Sequence, residues 1–180
     1  MKLGGWEVNV SVGAMPEKVA TAFVDLLGSL VGAQYTPIAY LGSQVANGTN
    51  HAVLASQKVI TGTDHTNVVL VKINEKPEGC TLVGIEPLVE SGLGMGGVKV
   101  DVKVNDAIPE EALEAFKKNV AQLLGSDIVP FAYLGSQVTT GVDYIFAVTV
   151  TPVVPNAKAS VKLVTVNAMT HRTTFEEVIG

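Results

Sequence analysis

The sequence predicts an α+β fold made of two similar units in tandem, each with one helix packed on a curved antiparallel sheet. The first observation behind this prediction is an internal repeat. The segment PIAYLGSQVANGTNHAV, residues 37–53, returns about half a chain later as PFAYLGSQVTTGVDYIF, residues 130–146. Self-similarity of this kind indicates that one structural unit has been duplicated. The second observation is that helical and strand patterns follow the same order in both halves.

The repeat also sets the predicted domain boundaries. A chain of 180 residues can form one domain or two. The duplication favours two units of roughly 80–90 residues, each large enough for a small core of its own. We place unit 1 at residues 1–90, a glycine-rich linker at 91–97 and unit 2 at 98–180.

Each predicted unit begins with a strand followed by a helix. Residues 6–12 and 98–104 alternate apolar and polar side chains, a period of two that is typical of half-buried strands. Trp6 shares its parity with the valines of its strand, so we expect it in the core and not as an exposed anchor for a partner. Pro16 and Pro109 follow these strands, and proline suits the start of a helix because its φ is fixed and it needs no amide partner.

The two predicted helices carry an apolar stripe at the helical spacing. Its members are Ala20, Phe23, Leu27, Leu30 and Val31 in the first helix and Leu113, Phe116, Val120, Leu123 and Leu124 in the second. Gly32 and Gly125 are expected to end the helices as left-handed caps. Beside the stripe, Leu26 of the first helix corresponds to Asn119 of the second. We therefore expect Leu26 to be the more buried of the two, through contact with the other unit or within a homo-oligomer.

Four strands in a meander are predicted to follow each helix. In the first unit, residues 38–46 and 49–60 form one pair joined at Asn47-Gly48, and residues 67–74 and 81–88 form another. Asn-Gly between two β-rich runs favours a type I′ turn, in which both central residues have positive φ. The order of elements in each unit is thus β-α-β-β-β-β.

Composition excludes several classes of partner. The formal net charge of −5 argues against nucleic acid, since phosphate binding needs clustered Lys and Arg. Membrane insertion is also not expected, because no apolar run approaches the roughly 18–20 residues that span a bilayer. The N-terminal segment lacks the apolar stretch of a signal peptide, and Cys80 has no second cysteine with which to pair. We expect a cytoplasmic protein, and a secreted location would require that a signal peptide had already been removed.

No motif for catalysis, metal or cofactor emerges from the sequence. Residues 92–97 spell G-x-G-x-x-G, but a strand follows them where a dinucleotide site needs a helix. Cys80 is not spaced as a nucleophile from His51, His65 or His171, and we expect a partly buried filler at Cys80 and an amphipathic sheet residue at His51. The histidines and acids show no metal-ligand spacing. The sequence therefore predicts a protein that is not an enzyme and binds no cofactor.

The element order and two short motifs resemble the cystatin family. Residues 44–50, QVANGTN, are similar to the first-hairpin motif Gln-x-Val-x-Gly, and Gly4-Gly5 is similar to the N-terminal glycine segment. Copies of both lie in unit 2, at Gly96-Gly97 and residues 137–141. The lack of cystines is more like the intracellular stefin branch. The resemblance implies two cystatin-like units in tandem.

The resemblance implies that the protein binds a partner without catalysing a reaction. In this family the glycine segment and two hairpins form a wedge that fills the active-site cleft of papain-like cysteine proteases. Carried over to this chain, the protease-binding residues would be Gly4, Gly5, Gln44, Val45, Ala46, Asn47 and Gly48. The second hairpin departs from the family pattern, since residues 76–79 read Lys-Pro-Glu-Gly where a Pro-Trp pair is common, and Ala46 stands in place of the motif valine.

Two other classes of function remain open from the sequence. The first is an interaction or assembly module that keeps the fold without the inhibition, which the departures in the second hairpin favour. The second is a carrier of a small ligand, or an enzyme, with a pocket between helix and sheet. No constellation of polar residues in the sequence supports the second class.

Overall fold

The computed structural model describes residues 4–92 and 94–180, and these residues divide into two compact units after residue 90. Unit 1 contains β1 (Trp6–Val12), α1 (Glu17–Gly28), β2 (Ala33–Ala46), β3 (Gly48–Val59), β4 (His65–Lys76) and β5 (Gly79–Val89). Unit 2 contains β6 (Val98–Lys103), a 3₁₀ turn (Asn105–Ala107), α2 (Glu110–Val120), β7 (Ser126–Thr139), β8 (Gly141–Pro152), β9 (Ser160–Asn167) and β10 (Thr173–Ile179). The predicted α+β fold with two similar units is thereby confirmed at the level of its elements.

Each unit is a five-stranded antiparallel meander with one helix. The strand order is β1-β2-β3-β4-β5 in unit 1 and β10-β9-β8-β7-β6 in unit 2, so every strand pairs with its sequence neighbours. Both helices begin directly after a proline, Pro16 or Pro109, whose extended backbone gives way to the first helical residue. Within the described residues, no helix is both long and apolar enough to cross a membrane.

The helix of each unit packs on the sheet through a central phenylalanine. Phe23 lies in a buried cluster with Val53 and Val71, and Phe116 occupies the equivalent place in unit 2. The Phe116 ring centroid is 5.1 Å from that of Phe146, a tilted aromatic contact. Burial of one such side chain stabilises its unit by about 2–3 kcal/mol. The two phenylalanines of the predicted apolar stripes are therefore buried in equivalent positions.

The helices end earlier than the apolar stripe predicts. Helix α1 ends at Gly28 and α2 at Val120, and the Ser29 hydroxyl donates to the Leu26 carbonyl at 2.9 Å just past the end of α1. Leu30, Val31, Leu123 and Leu124 therefore lie beyond the helices and are exposed. Gly32 and Gly125 have positive φ, as expected, but they precede the following strands instead of ending the helices.

Within a single chain, the expected contrast between Leu26 and Asn119 is reversed, while burial of Leu26 in a homo-oligomer stays a prediction. Leu26 is only partly buried at the edge of the core, whereas Asn119 is buried. The Asn119 amide group donates to the Ala115 carbonyl at 2.7 Å and to the Asn167 carbonyl at 3.5 Å. These bonds satisfy the Nδ2 group of the buried amide, whereas its Oδ1 has no hydrogen-bond donor among the described residues.

The expectation that Trp6 lies in the core is met only in part. The indole is half-buried, and Lys72 Nζ lies 5.8 Å from the centre of its ring. A lysine over an aromatic face is a favourable cation–π arrangement, so the side chain is partly covered by a charged stem instead of by the apolar core.

All four edge strands interrupt their pairing with a register shift. The shifts lie between Val8 and Ser11 in β1, at two places in β5, between Val100 and Lys103 in β6, and between Glu177 and Ile179 in β10. Such bulges bend a strand and increase its local twist.

Candidate functional site

The candidate site is one end of unit 1, where the N-terminal segment and two hairpins meet. We call this end the tip and define it as residues 4–5, 44–48 and 74–79. The Gly4 N–H donates to the Val45 carbonyl at 2.9 Å, and Gln44 Nε2 donates to the Gly4 carbonyl at 3.0 Å. The glycine segment is thus held against the first hairpin through both its amide and its carbonyl.

The turn of the first hairpin differs from the predicted type. Val45 pairs with Thr49 and Ala46 with Gly48, so Asn47 alone lies between the two strands, and of residues 46–48 only Gly48 has positive φ, at 91°. A type I′ turn would need positive φ at both central residues, whereas this connection needs it only at Gly48 and places no such demand on Asn47. In unit 2, Val138 pairs with Val142 and Gly141 has a φ of 84°, so Thr140 fits this loop as well as Asn47 does.

Asn74 of β4 connects the first hairpin to the second. Its Nδ2 donates to the Asn47 carbonyl at 3.0 Å and to Asn50 Oδ1 at 2.8 Å. The contact is close, since a Cβ built on Gly48 would lie 2.5 Å from the Glu75 carbonyl oxygen. Sequence reasoning did not assign Asn74 a function, although its match with Asn167 in the repeat was a usable signal.

The side chains of the first hairpin differ sharply in exposure. Val45 is 65% exposed and Asn47 is also exposed, whereas Ala46 is only 6% exposed. In this conformation Ala46 faces inward and helps to hold the hairpin, while Val45 presents an apolar side chain to solvent. Gly4 and Gly5 are exposed beside it.

Unit 2 builds its equivalent end with matching bonds. Gln137 Nε2 donates to the Gly96 carbonyl at 2.8 Å, and Asn167 Nδ2 donates to the Thr140 carbonyl at 3.0 Å. Val138 is exposed as Val45 is. Two bonds of the bracing, from the glutamine and from the asparagine, are thus common to both copies of the repeat.

The two bracing asparagines differ in how well they are satisfied. Asn167 Oδ1 accepts the backbone N–H groups of Met169 and Thr170, each at 2.9 Å. Asn74 Oδ1 is buried and has no hydrogen-bond donor among the described residues. The turn that follows Asn74 is shorter than the turn that follows Asn167, because Lys76 pairs directly with Gly79. No backbone N–H of this shorter turn donates to the Asn74 side chain.

A chain of hydrogen-bonded side chains lies beneath the tip and was missed by sequence reasoning. His51 is buried, with Nδ1 2.8 Å from the Tyr40 hydroxyl and Nε2 2.9 Å from Glu75 Oε2. Lys18 Nζ lies 3.7 Å from the other carboxylate oxygen of Glu75. Burial is the main cause that raises the pKa of Tyr40 above its ordinary value, so its hydroxyl keeps its proton and can donate to His51.

The repeat contained a signal for this chain of side chains. His51 and Glu75 of unit 1 correspond to Tyr144 and Ala168 of unit 2, so both members change together. The expectation of an amphipathic sheet residue at His51 is wrong, because the imidazole is enclosed and bonded on both nitrogens. Its position fixes Glu75 beside the hairpins.

An open cavity and Cys80 also lie near the tip. An open cavity of about 600 Å³ lies between α1 and the turn from β4 to β5, with Leu26, Glu75 and Cys80 in its wall. Cys80 is partly buried against the core, in line with the expectation of a small filler. Among residues 4–92 and 94–180, no group of three His, Cys, Asp or Glu side chains is placed to hold a metal ion.

Comparisons with family models, with curated proteins and with solved structures each found no match for this chain. The similarity to cystatins therefore rests on the element order and on the residues of the tip.

Proposed function

We propose that the chain is a non-catalytic binding protein that inserts the tip of unit 1 into a groove of a partner protein, with papain-like cysteine proteases as the partner class. The single observation that carries the proposal is the bracing of the tip. Gly4 is bonded to the first hairpin and Asn74 joins that hairpin to the second, so three separate segments form one continuous surface.

A braced end suits insertion for energetic reasons. Association is opposed by the ordering of loops and side chains at an interface, and a surface that is already ordered avoids most of that cost. Its contact groups are the apolar side chain of Val45 and the exposed backbone of Gly4 and Gly5. Burying an exposed apolar side chain such as Val45 in a groove is favourable by about 1.5–3 kcal/mol.

The partner class comes from the resemblance to cystatins. The proposed contact residues are Gly4, Gly5, Gln44, Val45, Asn47 and Gly48, and the buried Ala46 supports the loop from behind. The tip binds as a plug, so neither Cys80 nor His51 takes part in bond making. Cys80→Ser should leave binding intact.

A second candidate is an interaction or assembly module without inhibitory activity. Two observations favour it. Ala46 is turned inward at the position of the motif valine, and the second hairpin presents Lys76 and Glu78 beside Pro77, where an aromatic anchor would be expected of an inhibitor.

The first experiment measures inhibition of papain with a fluorogenic substrate. We expect wild-type protein to inhibit, and Val45→Asp to weaken inhibition about 30-fold or more, because a carboxylate would replace an apolar anchor worth about 2 kcal/mol. Val138→Asp, the matched change in unit 2, should leave inhibition unchanged. Both valines are largely exposed, so neither change should disturb the fold.

The outcomes separate the two candidates. If wild-type protein leaves papain fully active at high micromolar concentrations, the inhibitor function fails and the assembly module replaces it. If Val138→Asp removes inhibition while Val45→Asp does not, the binding surface lies on unit 2 and our assignment of the tip is wrong.

A further inference from the structure

Asn47, in the first hairpin of unit 1, is the only asparagine of this chain that is followed by glycine. In an Asn-Gly pair, the backbone nitrogen of the glycine and the side-chain carbonyl carbon Cγ of the asparagine can join to close a five-membered ring. Groups tethered in this way react at a high effective concentration. Glycine favours the reaction, because it has no Cβ to obstruct the approach and its backbone adopts many conformations.

The structure leaves the Asn47 side chain free to react. The residue is exposed, and its side-chain amide forms no hydrogen bond with any described residue. The buried Asn74 and Asn167 differ in this respect, since the Nδ2 group of each is held by at least two hydrogen bonds. At Asn47 no such bond holds Cγ away from the Gly48 nitrogen.

We propose that Asn47-Gly48 is a site of self-modification, at which Asn47 loses ammonia without an enzyme and becomes aspartate or isoaspartate. The Gly48 nitrogen gives its proton to water or hydroxide and attacks Asn47 Cγ, so that an N–Cγ bond forms. The Cγ–Nδ2 bond then breaks, and Nδ2 takes up a proton and leaves as ammonia. The product of this step is a cyclic imide that joins the two residues.

Water opens the cyclic imide at either of its two carbonyl carbons. Breaking the bond between Cγ and nitrogen gives aspartate at residue 47. Breaking the bond between the backbone carbonyl carbon and nitrogen gives isoaspartate, in which the main chain runs to Gly48 through Cβ and Cγ. The complete reaction consumes water, releases ammonia and exchanges an NH₂ group for an OH group, and nothing is oxidised or reduced.

Isoaspartate releases the first hairpin from its bracing. The former backbone carbonyl of residue 47, which accepts the bond from Asn74 Nδ2 at 3.0 Å, becomes a free carboxylate outside the main chain. The main chain before Gly48 becomes longer by one carbon atom. Gly48 has no room to move toward β4, because a Cβ built on it would lie 2.5 Å from the Glu75 carbonyl oxygen. The longer loop therefore moves away from β4.

Both products also change the charge of the tip. Each adds one negative charge to a chain whose net charge is −5. The new carboxylate lies in an exposed loop, close in sequence to the exposed apolar side chain of Val45. The proposal does not rest on the function proposed for the tip, because all of its measurements use the free protein.

Unit 2 has the same loop without the reactive group. Thr140 stands in place of Asn47, and Asn167 Nδ2 donates to the Thr140 carbonyl at 3.0 Å, the bond equivalent to that in unit 1. Gly141 also has a positive φ, at 84°. A threonine side chain has no carbonyl carbon, so no imide can form. The modification is therefore confined to unit 1.

The test is incubation of the full chain at mildly alkaline pH, followed by peptide mass spectrometry. We expect the peptide that contains residue 47 to gain the mass difference between an OH and an NH₂ group. Its conversion should be at least about tenfold faster than that of the other exposed asparagines, because each of these is followed by a residue with a Cβ. The other exposed asparagines are Asn9, Asn105 and Asn156.

Asn47→Thr is the matched variant, because it copies Thr140 of unit 2. It should unfold at the same temperature as wild type and show no mass gain in this peptide. Wild-type protein unfolded in urea gives the reference rate. We expect the folded chain to convert residue 47 within about tenfold of that rate, because no hydrogen bond restrains its side chain.

A second measurement follows the effect on the hairpins. Anion exchange separates the converted protein through its added negative charge, and amide hydrogen exchange then reports local stability. Peptides of residues 44–50 and 74–80 should lose protection in the isoaspartate form, whereas residues 137–143 should keep it. Three results would each overturn the proposal: no conversion of residue 47 in the folded protein, faster conversion at another asparagine, or an isoaspartate form whose hairpins stay fully protected.

Discussion

Replacing Gly48 with alanine should destabilise the first hairpin of unit 1 by about 2–4 kcal/mol, for two separable reasons. The first is backbone conformation, since Gly48 has a φ of 91° and a residue with a Cβ pays about 1–2 kcal/mol there. The second is space. The new Cβ would lie 2.5 Å from the Glu75 carbonyl oxygen, 2.9 Å from Lys76 Cγ and 3.1 Å from Asn74 Oδ1.

The cost of the steric overlap can be measured separately from the cost of the backbone conformation. Overpacking of a close contact destabilises the folded state by about 1–3 kcal/mol. Alanine also lowers the conformational entropy of the unfolded chain, which offsets about 0.4–1 kcal/mol of this loss. Gly62→Ala is the matched control, because Gly62 has a φ of 75° and a Cβ there would meet no atom within 4 Å. The control should therefore lose only about 1 kcal/mol.

Amide hydrogen exchange read by mass spectrometry measures the effect locally, because it reports the opening free energy of each segment. Peptides that cover residues 44–50 and 74–80 should lose protection in Gly48→Ala and keep it in Gly62→Ala. If the two variants lose equal protection in these peptides, the close approach of Gly48 to β4 is wrong and the bracing of the tip loses its main support.

Two further predictions concern buried polar groups. Asn167→Ala should cost about 3 kcal/mol in urea denaturation and Asn74→Ala about 1–2 kcal/mol, because Asn167 also accepts two backbone N–H groups, and the reverse order would contradict our account. Burial raises the pKa of Tyr40, Tyr133 and Tyr144 above the ordinary value near 10. The folded state then holds these protons more tightly than the unfolded chain, so their stabilising effect is complete below about pH 10 and is lost as the pH rises through the folded-state pKa. Titration of phenolate absorbance beside alkaline unfolding measures this, and ionisation of all tyrosines near the ordinary value before any unfolding would disprove it.

Features that depend on near neighbours in the chain could be predicted from the sequence. The alternation of residues 6–12 and 98–104 located the first strands, because a period of two is a property of the strand itself. The prolines located the helix starts, and Gly48 located the first hairpin loop. The type of turn was not predictable, since the register of Val45 with Thr49 decides it and depends on pairing across the whole hairpin.

Features that depend on partners far along the chain could not be predicted. One of the two carbonyl groups to which the buried Asn119 donates lies 48 residues away, and the carboxylate bonded to the buried His51 lies 24 residues away. Neither a helical wheel nor a strand pattern identifies partners that lie so far apart in the sequence. The bracing of the tip by Asn74 belongs to the same class, although the repeat of this residue at Asn167 marked the position.

The bulged edges of the two sheets have a consequence for the behaviour of the chain at high concentration. A regular, flat edge strand offers a row of free N–H and C=O groups on which a strand of another molecule can add, and this addition leads to fibrous aggregates. Here the register of β1, β5, β6 and β10 breaks within each strand. Pro87 in β5 further removes one N–H donor from its strand. The chain contains 47% hydrophobic residues and only 16% charged ones, so edges that resist the addition of another strand lower its tendency to form ordered aggregates.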